Sequence, residues 1–180
     1  MTDDSLEDRL QRLEDRWELQ DLVATYGRAV DDRDVELLRD LYAEDAVFDA
    51  VVGPIRGRDA VVEYYFERCR LFGPSFHVPH SQTVQFIGTD EATGVVTAHA
   101  ELGMEAGTFW VALRYYDHYV RHDGAWRFQE RKVSQLYAMP LHDLLDDLGG
   151  TSRVRWPGAS RREADLPEGL STWASWTREA

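Results

Sequence analysis

Two residues of the sequence, Asp31 and His77, have side chains and positions suited to acid–base chemistry. Asp31 follows the apolar helix end Ala29-Val30, and a carboxylate that enters an apolar concavity has its pKa raised, which makes it a usable general base or acid. His77 carries the group whose ordinary pKa is nearest neutrality, and a nearby carboxylate would orient it. The alternatives are a solvated loop aspartate and a half-buried strand histidine.

Tyr26 and Arg131 are candidates for stabilising charge during a reaction. Tyr26 lies five residues before Asp31, about one and a half helical turns, so the two can share a helix end. A buried phenol can polarise a carbonyl or protonate a leaving group, whereas the alternative role is core packing. A buried arginine on the last long strand could hold an oxyanion. If side chains alternate strictly along that strand, Trp126 and Phe128 lie on one face. The residues on the other face are then Arg127, Gln129, Arg131, Val133 and Gln135.

Metal and nucleotide chemistry find little support in the sequence. His77 and His80 form His-Val-Pro-His, but residues three apart on a strand point to opposite faces, and no third ligand stands out. Cys69 is the only cysteine, which excludes an internal disulfide and a cysteine-based metal site. The chain has no phosphate loop or dinucleotide fingerprint. We therefore expect neither metal nor cofactor.

The charge balance narrows the class of partner. The 180 residues include 20 basic and 33 acidic side chains, a net charge of −13. Such a chain is poorly suited to nucleic acid or anionic lipid, and a neutral or cationic small molecule is the easier ligand unless a local basic pocket overrides the field. The start MTDDSLEDRL does not resemble a signal peptide, and no apolar run reaches membrane-spanning length, so we expect a cytoplasmic protein.

The elements that must position these residues begin with helices. Apolar spacing predicts a long helix over Ser5–Val30 and a second over Val35–Tyr42, capped by Asp34. A third helix is predicted over Asp59–Phe72 and a short fourth over Leu141–Leu148. The first helix is expected to bury one apolar stripe: Leu6, Leu10, Leu13, Trp17, Leu22, Tyr26 and Ala29.

Strand patterns follow the helices. A strand over Ala46–Val52 precedes the third helix, and the period then changes from 3.6 to 2. Asp123-Gly124 is a strong hairpin signal between the last two strands. This order predicts an α+β fold in which helices cover one face of a curved antiparallel sheet. The four long strands are predicted over Phe76–Ile87, Gly94–Met104, Thr108–Arg121 and Ala125–Tyr137.

The C-terminal segment is a separate feature. We divide the chain into a domain over residues 1–148 and an extension over residues 149–180. The extension has the composition of a disordered tail, yet it holds three of the six tryptophans. We therefore expect it to dock on its own domain or on a neighbouring subunit. Those tryptophans are Trp156, Trp173 and Trp176.

The ordered motifs resemble the SnoaL-like branch of the nuclear transport factor 2-like superfamily. The resemblance covers about residues 5–140 and rests on their order and spacing. That branch includes scytalone dehydratase, bile-acid 7α-dehydratase, lindane dehydrochlorinase and polyketide cyclases, and it implies a cone-shaped fold. The motifs are LQDLVATYGRAVDDRD, LYAEDAVFD, GRDAVVEYYF, FHVPHSQTVQFIGTDEATG and YVRHDGAWRFQER.

The resemblance implies roles for particular residues. Asp31 and His77 match the acid–base dyad of the dehydratases and dehydrochlorinases, Tyr26 matches a tyrosine of the dehydratases, and Arg131 matches an arginine found in some members. The expected substrate-binding residues are Tyr115, Trp110 and Phe48, with His80 behind the histidine of the dyad.

The implied function is cofactor-independent β-elimination of water, isomerisation or cyclisation of a mid-sized cyclic, polyketide- or steroid-like substrate. Such relatives commonly form homodimers or homotrimers, and we expect the same here. Two alternatives remain on the same fold. One is a non-catalytic binding or assembly subunit, and the other is an epoxide hydrolase or cyclase in which carboxylates activate water.

Overall fold

The computed structural model describes residues 5–50, 52–105 and 107–178, the last three as backbone only. The helices are α1 (Leu6–Asp31), α2 (Val35–Asp40), α3 (Arg58–Cys69), α4 (Leu141–Asp147) and α5 (Ser171–Arg178). The strands are β1 (Tyr42–Ala50), β2 (Gly53–Arg56), β3 (Ser75–Phe86), β4 (Glu91–Met104), β5 (Gly107–His122) and β6 (Ala125–Pro140). Strand β2 and helix α5 were not anticipated, and Tyr42 begins β1 rather than ending α2. Val51, in the expected first strand, lies outside the described residues.

The strands form one curved sheet in the order β2-β1-β6-β5-β4-β3. All neighbours are antiparallel except β1 and β6, which are parallel. Helix α1 packs on β3 and β6, and α3 packs on β1 and β2, so the core lies between the helices and the concave face. The expected α+β fold is confirmed. Asp123 and Gly124, with φ of 51° and 75°, make the two-residue turn between β5 and β6 that the sequence indicated.

Helix α1 has two apolar stripes rather than one. Its first half presents Leu6, Leu13 and Trp17 to solvent, with 79%, 62% and 75% of their surface exposed. The expected single stripe is wrong because the five-residue step from Trp17 to Leu22 turns about 140° around the helix, at about 100° per residue. The residues that face the sheet are Asp15, Leu19, Leu22, Val23, Tyr26, Gly27, Ala29 and Val30.

A bulge in β6 changes the expected alternation of its side chains. His118 of β5 pairs with Glu130 and Tyr119 pairs with Phe128, which leaves Gln129 as an extra residue. Phe128 and Arg131 consequently face the same side, and the guanidinium carbon of Arg131 lies 4.0 Å from the Phe128 ring centre. The expectation that these two residues occupy opposite faces is wrong because one bulge shifts the two-residue period by one.

The C-terminal extension packs on its own domain. The Trp156 ring stacks on Phe109 of β5 at 5.0 Å between centroids, and Val154 forms a bridge to Ala138 of β6. Arg153 is buried and forms an ion pair with Glu168. Residues 151–170 therefore form a strap against β5 and β6. The side chain of Trp176 lies outside the described residues.

Candidate active site

Asp31 is the last residue of α1, and His77 is near the start of β3. Asp31 Oδ1 lies 2.6 Å from His77 Nδ1. The same carboxylate accepts hydrogen bonds from the His77 backbone N–H at 2.7 Å and from Ser75 Oγ at 2.8 Å. The side chain of Asp31 is 13% exposed and that of His77 is 17% exposed. The carboxylate is thus held by three groups of one strand, which fixes the orientation of the imidazole.

Two residues of the α1 end bring this helix against β3. Gly27, one turn before Asp31, lies so close to β3 that an added Cβ would stand 3.1 Å from the His77 carbonyl oxygen. Arg33, with a left-handed φ of 61°, follows the helix. Its guanidinium donates to the carbonyls of Val30 at 2.8 Å and Gly73 at 2.6 Å and to Ser75 Oγ at 2.8 Å. Arg33 therefore ties the helix end to the beginning of β3.

The hydrogen bonds at Asp31 favour its ionised form. Burial on its own raises the pKa of Asp31, but the hydrogen bonds from His77 and Ser75 outweigh burial, so this pKa lies below its ordinary value. The expectation of a raised pKa is therefore wrong, since the carboxylate is not alone in its apolar surroundings. When the His77 ring carries one proton, an ionised Asp31 can only accept and therefore places that proton on Nδ1, which leaves a lone pair on Nε2.

Tyrosine hydroxyls form a chain beside the dyad. Tyr26 is 3% exposed, and its hydroxyl lies 2.8 Å from that of Tyr65, which lies 3.4 Å from that of Tyr42. The Tyr26 ring meets the His77 ring edge-on at 6.4 Å between centroids. Burial raises the pKa of Tyr26 and of Tyr65 above the ordinary value, so both phenols keep their protons at neutral pH.

Arg131 lies behind these rings and does not line the cavity. It is fully buried and forms two hydrogen bonds to Asp117, at 2.8 and 2.7 Å. Its guanidinium carbon lies 4.2 Å from the Tyr26 ring centre and 4.1 Å from that of Tyr115. The structure thus departs from the expected contact with substrate, because Asp117 holds the guanidinium beneath two cavity-lining tyrosines.

A cavity of about 360 Å³ lies between α1, α3 and the concave face of the sheet. Among the described residues its wall is mainly apolar and aromatic and includes no carboxylate. Four expected site residues, Tyr26, Phe48, His77 and Tyr115, belong to this wall. The polar or ionisable side chains of the wall are Tyr26, Tyr64, Tyr65, Arg68, Cys69, His77, Tyr115, Gln135 and Trp156.

Trp110 and His80 do not belong to this cavity. Both line a depression on the opposite face of the sheet with His99. His80 Nε2 lies 2.7 Å from His99 Nδ1, and Trp110 packs against the His99 ring at 5.6 Å. Trp110 was misplaced because neighbouring residues of a strand alternate, and Phe109 and Val111 are the buried ones. His80 is turned away from His77 by the same alternation.

Several residues of the site were missed at the sequence level. Tyr65 could have been found as a buried aromatic residue of the third helix. No local sequence pattern distinguishes Ser75 or Arg33 as part of a site. Gln135 and Trp156 meet across 21 residues of sequence, with the Trp156 indole N–H 3.4 Å from Gln135 Oε1. Such long-range contacts depend on how the strap folds back.

Two general properties of the described part of the chain bear on function. Across residues 5–50, 52–105 and 107–178, no cluster of three or more histidine, cysteine, aspartate or glutamate side chains could bind a metal ion. Within those same ranges, no helix combines the length and apolar character needed to cross a membrane.

Comparison with known proteins gives a consistent family and fold. A family model described as the SnoaL-like domain matches residues 11–132. The crystal structure of LinA is 25% identical, with a TM-score of 0.70 over 74% of this chain and 93% of LinA. A type 2 hexachlorocyclohexane dehydrochlorinase is 21% identical, with a TM-score of 0.70 over 84% of this chain and 99% of its own. A Novosphingobium aromaticivorans protein provisionally named a scytalone dehydratase is 21% identical, with a TM-score of 0.69 over 73% and 91%. No curated protein sequence matches.

Proposed function

Because the chain belongs to the SnoaL-like domain family, we propose that its cavity is the active site of a lyase or isomerase that works by proton transfer alone. The observation that carries the proposal is the contact of 2.6 Å between Asp31 Oδ1 and His77 Nδ1 at the wall of an apolar cavity. The similarity to LinA, named in a related structure as a hexachlorocyclohexane dehydrochlorinase, agrees with elimination chemistry.

In the proposed reaction, His77 Nε2 removes a proton from a carbon next to a carbonyl group of the substrate. The electron pair of the broken C–H bond forms a C=C bond while the β-hydroxyl leaves. The proton on His77 then passes to the departing hydroxide, so the products are water and an unsaturated ketone. The negative charge of Asp31 stabilises the imidazolium formed in between.

Tyr26 supplies the complementary group. Its proton is retained because burial raises its pKa, and its hydroxyl belongs to the chain that continues through Tyr65. A neutral phenol beside the base can donate a hydrogen bond to the oxygen on which negative charge develops. We assign Arg131 a positioning role, since its charge lies behind the Tyr26 and Tyr115 rings.

Two features favour this function over the alternatives. A non-catalytic subunit needs no open cavity, whereas about 360 Å³ of space lies beside the dyad. An epoxide hydrolase of the kind considered needs a water held between carboxylates, whereas the described cavity wall includes no carboxylate side chain. For substrates, we propose mid-sized cyclic β-hydroxy ketones, since the wall offers apolar and aromatic contacts.

The test is deuterium uptake and water loss for a panel of polycyclic β-hydroxy ketones in deuterium oxide, followed by mass spectrometry. We expect both signals with the wild type and a fall of about 10²- to 10⁴-fold for His77→Gln, since a general base contributes about that factor. His80→Gln is the matched control, because His80 lies three residues along the same strand and faces the other side. Equal rates in the wild type and His77→Gln would overturn the proposal.

A further inference from the structure

Arg68 is a charged side chain of the cavity wall that the proposed reaction does not use. It lies on α3 and lines the cavity, and its guanidinium carbon stands 5.2 Å from the Trp156 ring centre. Among the described residues it forms no ion pair, whereas Arg70, two residues on, is bound to Glu67 at 2.8 Å. Arg68 is half-buried at the end of α3, and it has no paired acid in a chain where 33 acidic side chains outnumber 20 basic ones.

Gln135 provides a second hydrogen-bond donor in the same wall. It is 2% exposed, and its Oε1 accepts hydrogen bonds from Arg162 Nη2 at 2.9 Å and from the Trp156 indole N–H at 3.4 Å. Both partners can only donate, so the orientation of the amide is fixed. Its Nε2 group has no hydrogen-bond partner among the described residues. Since Gln135 lines the cavity, a ligand that carries an acceptor can reach that nitrogen and displace water from it.

Trp156 joins these two groups into one subsite. Its ring contacts the Arg68 guanidinium, and its indole nitrogen contacts Gln135. Trp156 is held in turn by stacking on Phe109 at 5.0 Å. The described wall contains no carboxylate that could neutralise Arg68. The subsite therefore offers one positive charge and one neutral donor beside an aromatic plane.

We propose that Arg68 and Gln135 bind a carboxylate of the substrate, so that the enzyme acts on cyclic carboxylic acids. A single unpaired guanidinium matches one negative charge, and a guanidinium together with a nearby N–H donor matches the oxygens of a carboxylate. The inference rests on the proposed function for the reaction at His77, and it adds the group by which the substrate is held. This local charge reverses the expectation from net charge that neutral or cationic ligands are favoured.

Binding tests the inference without requiring turnover. The probe is 2-naphthoate, and its neutral counterpart is methyl 2-naphthoate; both are titrated into the full-length protein and followed by calorimetry. We expect Arg68→Gln to weaken binding of the acid about 10- to 100-fold, as for loss of a charge-assisted hydrogen bond, and to leave the ester unchanged. Arg70→Gln is the matched control, because it removes an equal charge that is already paired with Glu67.

Gln135→Glu tests the second donor. Glutamate keeps an oxygen for Arg162 and Trp156 but replaces the free N–H with a negatively charged oxygen, so binding of the acid should fall while the ester still binds. Circular dichroism and the melting temperature check that each variant is folded. Equal affinity for acid and ester in the wild type, or no binding of the acid, overturns the carboxylate subsite. Acid-selective binding with no His77-dependent exchange would instead contradict the proposed reaction alone.

Discussion

At the scale of single residues, the Asp31 carboxylate determines which nitrogen of His77 carries a proton. Its oxygens accept from Ser75 Oγ and the His77 backbone N–H and face Nδ1. Asparagine has one acceptor oxygen in place of two. If that oxygen stays on the backbone N–H, the amide NH₂ group faces Nδ1. The imidazole must then present Nδ1 as an acceptor, which puts its proton on Nε2.

We therefore predict that Asp31→Asn abolishes the base while keeping the fold. The proton-exchange rate should fall about 10³- to 10⁴-fold, as for the comparable change in the serine protease triad. The measurement is deuterium uptake, together with nitrogen NMR shifts of His77 that report the tautomer. Unchanged activity, with the proton still on Nδ1, would show that Asp31 does not set the tautomer.

The depressed pKa of Asp31 also predicts a pH dependence of stability. Its folded pKa lies below the ordinary value of 3.8, so the stabilisation is fully present above that value and is lost as pH falls through the folded pKa. Urea unfolding at pH 7 should show Asp31→Asn less stable by about 1–3 kcal/mol. The difference in unfolding free energy between the wild type and Asp31→Asn should become smaller below pH 3.8. Asp21→Asn is the control, since that side chain is exposed on α1, and its difference in unfolding free energy from the wild type should stay near zero at both pH values.

At the scale of elements, the distance between α1 and β3 sets the geometry of the dyad. Gly27 allows the approach, because a Cβ there would meet the His77 carbonyl oxygen at 3.1 Å. Glycine is a poor helix former, so Gly27 taken alone would weaken the end of α1. The structure shows that its lack of a side chain lets Asp31, one turn later, reach His77.

Gly27→Ala should accordingly harm activity more than stability. Alanine favours the helix by about 1 kcal/mol, which offsets part of the close contact. A shift of a few tenths of an ångström between α1 and β3 should lower the exchange rate about 10- to 100-fold. Unfolding free energies and exchange rates are measured together. The control is Ala24→Gly on the exposed face of α1, which should cost about 1 kcal/mol and leave the rate unchanged; the reverse ranking would contradict the prediction.

The elements were predictable to the extent that they follow local patterns. The long helix, the long meander strands and the Asp123-Gly124 turn each have a period or a turn signal that neighbouring residues determine. The bulge at Gln129 has no such signal, because it depends on how β6 pairs with β5. The faces of Arg131 and Phe128 were mispredicted for that reason.

The site was predictable where a resemblance supplied positions and was not where remote segments meet. Asp31, His77 and Tyr26 could be named as candidates, and they are close together in the structure. Arg68 and Gln135 could not be named, since their environment depends on a strap that contributes Trp156 from a distant part of the chain. No period in the sequence specifies that contact.

At the scale of the whole molecule, we propose that a second copy of the chain packs on the exposed half of α1. Leu6, Leu10, Leu13 and Trp17 repeat at steps of four, three and four residues and are 55–79% exposed. This spacing is that of a coiled-coil seam, and apolar stripes on a surface commonly mark interfaces. The stripe lies on the side of α1 away from the sheet, so a partner helix could reach it without touching the cavity.

We predict that Leu13→Glu lowers the molar mass measured by light scattering from that of an oligomer to that of one chain. A charge in the seam should prevent burial of the stripe. Because Leu13 is exposed in the single chain, the melting curve of the monomeric variant should still be that of a folded protein. Thr89→Glu is the control, because it adds the same charge at an exposed turn. An unchanged mass in Leu13→Glu, or a monomeric wild type, would show that this stripe is not the interface.

The amide of Gln135 lines the cavity and also holds the C-terminal strap. Its oxygen accepts the hydrogen bonds from Arg162 and Trp156 of the strap. If a ligand bound to the Nε2 group stabilises the docked strap, thermodynamic reciprocity requires that the docked strap strengthens ligand binding by the same factor. Occupancy of the cavity should slow the cleavage of residues 151–170 by an added protease. The protease susceptibility of the strap on the protein surface would then depend on whether the cavity is occupied.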